Sequence, residues 1–172
     1  MTLDPIPHID PVMTILVPAV MYFSVGYMFG GAKPVPVQYH RLRHPLRDMM
    51  LVAIAGPLSN FLLAMLFLSI MKGLVYFAGF GFDEVAVQVM EASFRWNLLL
   101  AAFNLIPIPP LDGSRVLTWI LPASLRAGYN SLERFGMILI VALMLFGPLG
   151  AVVFDIMLAL GRFADYLTGG PW

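Results

Sequence analysis

The residues best suited to chemistry lie around one acidic side chain, Asp112, in an otherwise apolar stretch. Asn104 precedes it, and three prolines fall within residues 107–110. Proline lacks the amide hydrogen that continues a helix, and interrupted backbone at membrane depth needs protein or a water-filled cavity around it. An ionisable group in such a place indicates a functional site. Asp112-Gly113 is also typical of a turn, with Asp112 capping a helix that begins near Ser114, and both interpretations stay open.

Two asparagines are candidates for the same site. Asn60 follows Gly56-Pro57 in the second long apolar run, and could project into a polar pocket with Asp112. The structural alternative is a proline-kinked helix that packs through small residues. Asn104 could supply an amide to the site, or could simply join two membrane helices by a hydrogen bond.

The histidines are weaker candidates as metal ligands. His40 and His44 would share a helix face, but arginines surround them and the glutamate of a zinc-binding helix is absent beside His40. His8, before the first apolar run, is a loop or interface residue and a possible neighbour of Asp112.

Composition defines the environment that must position these residues. Of the 172 residues, 60% are hydrophobic and 12% charged, against about 45–50% and 25% in soluble domains. The formal net charge is zero, so no basic surplus favours nucleic acid. There is no cysteine, which excludes disulfides and thiolate metal sites. We therefore expect an integral, multi-pass protein with the lipid bilayer as its main partner.

The apolar runs predict an all-α polytopic fold in one membrane domain, residues 1–172. Uncharged or nearly uncharged runs predict spans at about 11–32, 49–71, 96–121 and 135–161, with the third broken near 107–113. Residues 33–48 form the loop after the first span, where Pro34, Pro36 and the alternation at positions 35, 37 and 39 favour a short extended or hairpin segment. Lys and Arg dominate 33–48 and 112–134, which predicts that both face the cytoplasm and that 72–95, which begins at Lys72, faces the opposite side.

The motifs resemble those of one family. The run Asn104-Leu105-Ile106-Pro107-Ile108-Pro109-Pro110-Leu111-Asp112-Gly113 is similar to the Asn-x-x-Pro-x-Pro-x-Leu-Asp-Gly signature of the site-2 proteases, which are intramembrane zinc metallopeptidases. Ala55 to Asn60 resembles the family's Gly-Pro motif, and the opening LDPIPHIDP and Ala32 to Val37 resemble its short bacterial and archaeal branch.

The resemblance implies a zinc site of two histidines and one aspartate, with a glutamate as general base. Asp112 falls on the aspartate ligand, and Asn60 and Asn104 on positions that line the site or the substrate path. The implied activity is hydrolysis of transmembrane proteins in a prokaryotic cell membrane. No His-Glu-x-x-His motif occurs in the sequence, so two zinc ligands and the general base are missing.

We therefore expect a truncated or short-start form of such a protease. The alternative is an inactive, protease-like scaffold that holds a transmembrane helix. A small transporter is a third, weaker hypothesis, because the broken helix near Asp112 is typical of transporters but no inverted repeat accompanies it.

Overall fold

The computed structural model describes residues 44–170, and that part of the chain consists of helices and connecting turns without strands. The helices are α1 (Pro45–Tyr76), α2 (Val85–Asn104), α3 (Asp112–Ile120), α4 (Ala123–Ser131), α5 (Gly136–Phe146) and α6 (Leu149–Leu167), with a 3-10 turn at Leu132–Phe135. The predicted first span, the predicted extended segment at residues 34–39, His8 and His40 lie outside the described residues.

Helix α1 contains the predicted second span and exceeds it at both ends. Pro45 opens the helix, where its missing amide hydrogen costs nothing, and the Asp48 carboxylate accepts the backbone N–H of His44 at 3.1 Å. Residues 45–48, predicted to belong to the loop before the second span, are therefore helical. The 32 residues extend about 48 Å, more than the hydrocarbon thickness of a bilayer.

The predicted third span is divided between α2 and α3. The helix starts at Val85, earlier than predicted, and ends at Asn104; residues 105–111 are not helical, and α3 follows. Two glycines pack tightly against this proline-rich connection. A β-carbon on Gly113 would overlap the carbonyl of Leu105, and one on Gly136 would overlap the carbonyl of Pro109.

The region of the predicted fourth span contains α5 and α6 rather than one helix. Gly147 is extended, with φ −122° and ψ −176°, and Pro148 occupies the N-cap of α6. Proline disfavours helical backbone at the residue before it and cannot donate to the preceding turn, which explains the interruption.

The interior consists of two apolar clusters. One joins α2, α5, α6 and the proline-rich connection through Ala102, Ile106, Leu111, Ile140, Leu149 and Val153; the other joins α1, α2 and α6 through Leu68, Met71, Val87 and Ala164. Beside the second cluster, Lys72 Nζ is buried and donates to Asp165 Oδ1 at 2.7 Å, to Thr168 Oγ1 and to Gly170 O. Lys72, predicted to begin the loop 72–95, thus lies within α1 and links this helix to the end of α6.

The outer surface is strongly apolar. Leu51, Val52, Leu58, Leu62 and Leu66 of α1 are each at least half exposed. Two helical segments of the described chain, Pro45–Tyr76 and Ala123–Phe146, are long and apolar enough to cross a membrane. Exposed leucine and valine along a helix of this length fit contact with lipid.

Candidate metal centre

Asp112 is the first residue of α3. Leu111, not Asp112, occupies the N-cap position, and the Leu111 carbonyl accepts both the backbone N–H of Ser114 at 3.0 Å and its hydroxyl at 2.6 Å. No hydrogen bond from residues 44–170 reaches the Asp112 carboxylate. The alternative in which Asp112 caps a helix starting near Ser114 is therefore wrong by position, since the helix has already begun at Asp112.

The Asp112 carboxylate lies directly against α1. A β-carbon placed on Gly56 would stand 2.8 Å from Oδ2 of Asp112 and 3.9 Å from its Cγ. Any larger residue at position 56 would push the carboxylate away, so glycine permits this approach. Two motifs that are 56 residues apart in the sequence thus meet at one half-buried acidic group.

Electrostatics near the carboxylate come from Arg115, one turn further along α3. Its guanidinium is held by Glu133 Oε1 at 2.6 Å, outside the site. Burial is the larger influence on the Asp112 carboxylate and disfavours its charged form, and the Arg115 cation opposes this effect in part. The direct hydrogen bond of Arg115 goes to Glu133 in the 3-10 turn.

The two candidate asparagines lie on different helices, α1 and α2. Asn60 lies one turn after Gly56 on α1 and therefore on the same face, and it is half-buried. Asn104 is the last residue of α2 and is also half-buried. No hydrogen bond within the described chain joins either amide to Asp112, so their place in the site stays a prediction.

A set of polar contacts that sequence reasoning missed fixes α4 against α3 and against the proline-rich connection. Tyr129 donates its hydroxyl to the carbonyl of Pro107 at 2.7 Å, and Thr118 donates to Asn130 Oδ1 at 3.0 Å. Arg126 Nε donates to the carbonyls of Thr118 and Leu121 at the end of α3. These contacts hold the helix that carries Asp112 in place. The one sequence signal for them was the number of polar residues in 112–134, which did not indicate their partners.

The described residues alone do not make a zinc site. Within 44–170 there is no group of three His, Cys, Asp or Glu side chains that could share a metal ion. A catalytic zinc has three protein ligands as a rule, and Asp112 offers one. Among the described residues, the fit to zinc is therefore limited to one oxygen ligand, Asp112.

The class of protein follows from these features: a helical protein with segments able to span a bilayer and an acidic group at a helix break. The model of Peptidase family M50 matches residues 22–147, which include both motifs that meet at Asp112. The chain belongs to this family, the site-2 protease family, as its motifs predicted. Family members are membrane proteins, which agrees with the apolar outer surface.

Three relatives all bear the name "Putative zinc metalloprotease". YwhC of Bacillus subtilis is 36% identical over 94% of this chain and 72% of its own length. MJ0611 of Methanocaldococcus jannaschii is 42% identical over 40% of this chain and 32% of its own. Rip2 of Mycolicibacterium smegmatis is 26% identical over 91% of this chain and 58% of its own length. No solved structure matches the chain.

Proposed function

We propose that this chain supplies the aspartate ligand and part of the lining of an intramembrane zinc metallopeptidase that cleaves membrane proteins. The observation that carries the proposal is the Asp112 carboxylate, which lies against Gly56 without a hydrogen bond from the described residues. A carboxylate at a helix break in an apolar protein is costly unless it has a ligand or a reaction to serve. The zinc metalloprotease names of the relatives support the choice of metal.

The remaining ligands of the proposed site come from outside the 172 residues, because no His-Glu-x-x-His motif occurs among them. We infer that an upstream segment with this motif completes the site. Zinc, once bound, would supply the Lewis acid and the activated water of the reaction. Asp112 would hold the metal from the α3 side, and Asn60 and Asn104 would line the path of an extended substrate. We place the protein as a multi-pass component of a prokaryotic cell membrane, with its site open to the cytoplasm.

Zinc analysis tests the ligand role of Asp112. The 172-residue chain and a form extended by its own upstream coding sequence are purified in detergent, and their zinc content is measured. We expect one zinc per extended chain, and its loss in Asp112→Ala. Asp83→Asn, in the loop after α1, removes a carboxylate of equal charge elsewhere and should retain the metal.

Cleavage of reconstituted single-span reporter proteins gives the second measurement. The extended protein should cut a reporter, and Asp112→Ala should abolish the cut. Full zinc and activity in the Asp112→Ala protein would remove Asp112 from the ligand role. An upstream stop codon without the motif, together with zinc-free protein, would support the scaffold alternative instead.

A further inference from the structure

A second polar feature lies away from Asp112, where the start of α1 meets the end of α3 and the first half of α4. A cavity of about 660 Å³ opens to the surface there. It is lined by His44, Pro45, Leu46, Arg47, Trp119 and Arg126. None of these residues belongs to the proposed zinc site, and we call this feature the basic groove.

The charge of the basic groove is positive. Arg47 and Arg126 line it, and among the described lining residues there is no carboxylate. The nearest acidic residue in sequence, Asp48, directs its carboxylate to the backbone N–H of His44. Within the described residues Arg47 has no ion pair, so its planar guanidinium is available to an anion. Guanidinium groups match the oxygens of a phosphate by paired hydrogen bonds.

Arg126 is fixed in place before any ligand arrives. Its Nε donates to the carbonyls of Thr118 and Leu121 at 3.1 and 2.9 Å. A side chain held in this way loses little conformational entropy on binding. The groove therefore combines one fixed and one adjustable guanidinium.

The rest of the lining is apolar. Trp119 is 45% exposed and Leu46 is 42% exposed, and Pro45 lies beside them. Tryptophan concentrates where a bilayer meets water, because its ring is apolar and its N–H is polar. Both segments that form the groove are predicted from their charge to face the cytoplasm. A ligand that suits them is anionic at one end and apolar at the other.

We propose that the basic groove binds the phosphate headgroup of an anionic phospholipid from the cytoplasmic leaflet, with an acyl chain against Trp119 and Leu46. Basic pockets beside membrane helices on the cytoplasmic side recognise such headgroups. The inference requires only that the protein is embedded in a membrane, so it stands or falls separately from proteolysis. Bound lipid would fix the start of α1 relative to the helix that carries Asp112.

Quenching of Trp119 fluorescence by brominated lipids tests the proposal. In the 172-residue chain, Trp96→Phe and Trp172→Phe leave Trp119 as the single tryptophan. The protein is reconstituted in phosphatidylcholine bilayers with a small, equal fraction of brominated phosphatidylglycerol or brominated phosphatidylcholine. We expect stronger quenching by the anionic lipid. Arg47→Gln should weaken this preference about fivefold, since one arginine near a membrane surface contributes about that factor.

Two further variants separate local binding from the general surface charge. Arg134→Gln removes the same charge from the same predicted membrane side, but Arg134 does not line the groove, so the lipid preference should persist. Arg47→Lys keeps the charge and should restore most of the preference lost in Arg47→Gln. Equal quenching by the two brominated lipids, or equal losses in Arg47→Gln and Arg134→Gln, would overturn the proposal.

The source of the anion is decided by competition. Inorganic phosphate, compared with sodium chloride at equal ionic strength, should leave the preference for phosphatidylglycerol intact, because free phosphate lacks the acyl chain. If phosphate abolishes the preference, the groove is a site for the free ion, and the lipid proposal is wrong. A soluble oligoglutamate peptide is the third competitor. If this peptide abolishes the preference for phosphatidylglycerol, and if a brominated form of the peptide quenches Trp119, the groove is a peptide site and the lipid proposal is wrong.

Discussion

The contact between Gly56 and Asp112 can be tested by cysteine cross-linking, without an enzymatic assay, because the chain contains no cysteine of its own. We expect the pair Gly56→Cys and Asp112→Cys to form a disulfide. A β-carbon at position 56 lies 3.9 Å from Cγ of Asp112, and one further bond of about 1.5 Å limits the Cβ–Cβ separation to about 5.4 Å. Disulfides need about 3.5–4.5 Å, so a movement of about 1 Å suffices.

The assay counts free thiols after mild copper-phenanthroline oxidation in membranes, with a mass-tagged maleimide read on a denaturing gel. The cross-linked pair should accept no tag, and reduction should restore two. Gly73→Cys with Asp112→Cys is the matched control, since Gly73 lies 17 residues further along α1, about 25 Å away, with no atom placed within 4 Å of its β-carbon. Equal tagging of the two pairs would refute the placement of Asp112 against α1.

Two other predictions concern stability, and both are measured by chemical unfolding in detergent micelles. Gly113→Ala should lower the free energy of unfolding by about 1–3 kcal/mol, because its methyl group would overlap the Leu105 carbonyl; an unchanged midpoint would show that the connection is loose. Lys72→Met should destabilise by about 3 kcal/mol, since it removes the cation facing Asp165, and Lys72→Met with Asp165→Leu should recover much of the loss. No recovery in the double variant would mean that the ion pair is not what ties α1 to α6.

Much of the helical organisation followed from residue patterns. The uncharged run at 49–71 predicted a membrane-length helix, and α1 contains it. The pattern did not predict where helices end. Charges at Asp48 and Lys72 suggested boundaries, but one closes the first turn of α1 and the other is buried in an ion pair. A charged side chain can therefore lie inside a helix when it is paired, and its partner can lie far away in sequence.

The sequence by itself determined that this protein is apolar and helical, that it belongs with the site-2 proteases, and that Asp112 is the acidic group to examine. Those properties depend on residue types and on short spacings, which the chain displays directly. Tertiary structure decided that Gly56 receives the Asp112 carboxylate, that Lys72 pairs with a residue 93 positions away, and that Arg47 and Arg126 share one groove. Helix packing sets these distances, and spacing along the chain carries no information about which helix faces which.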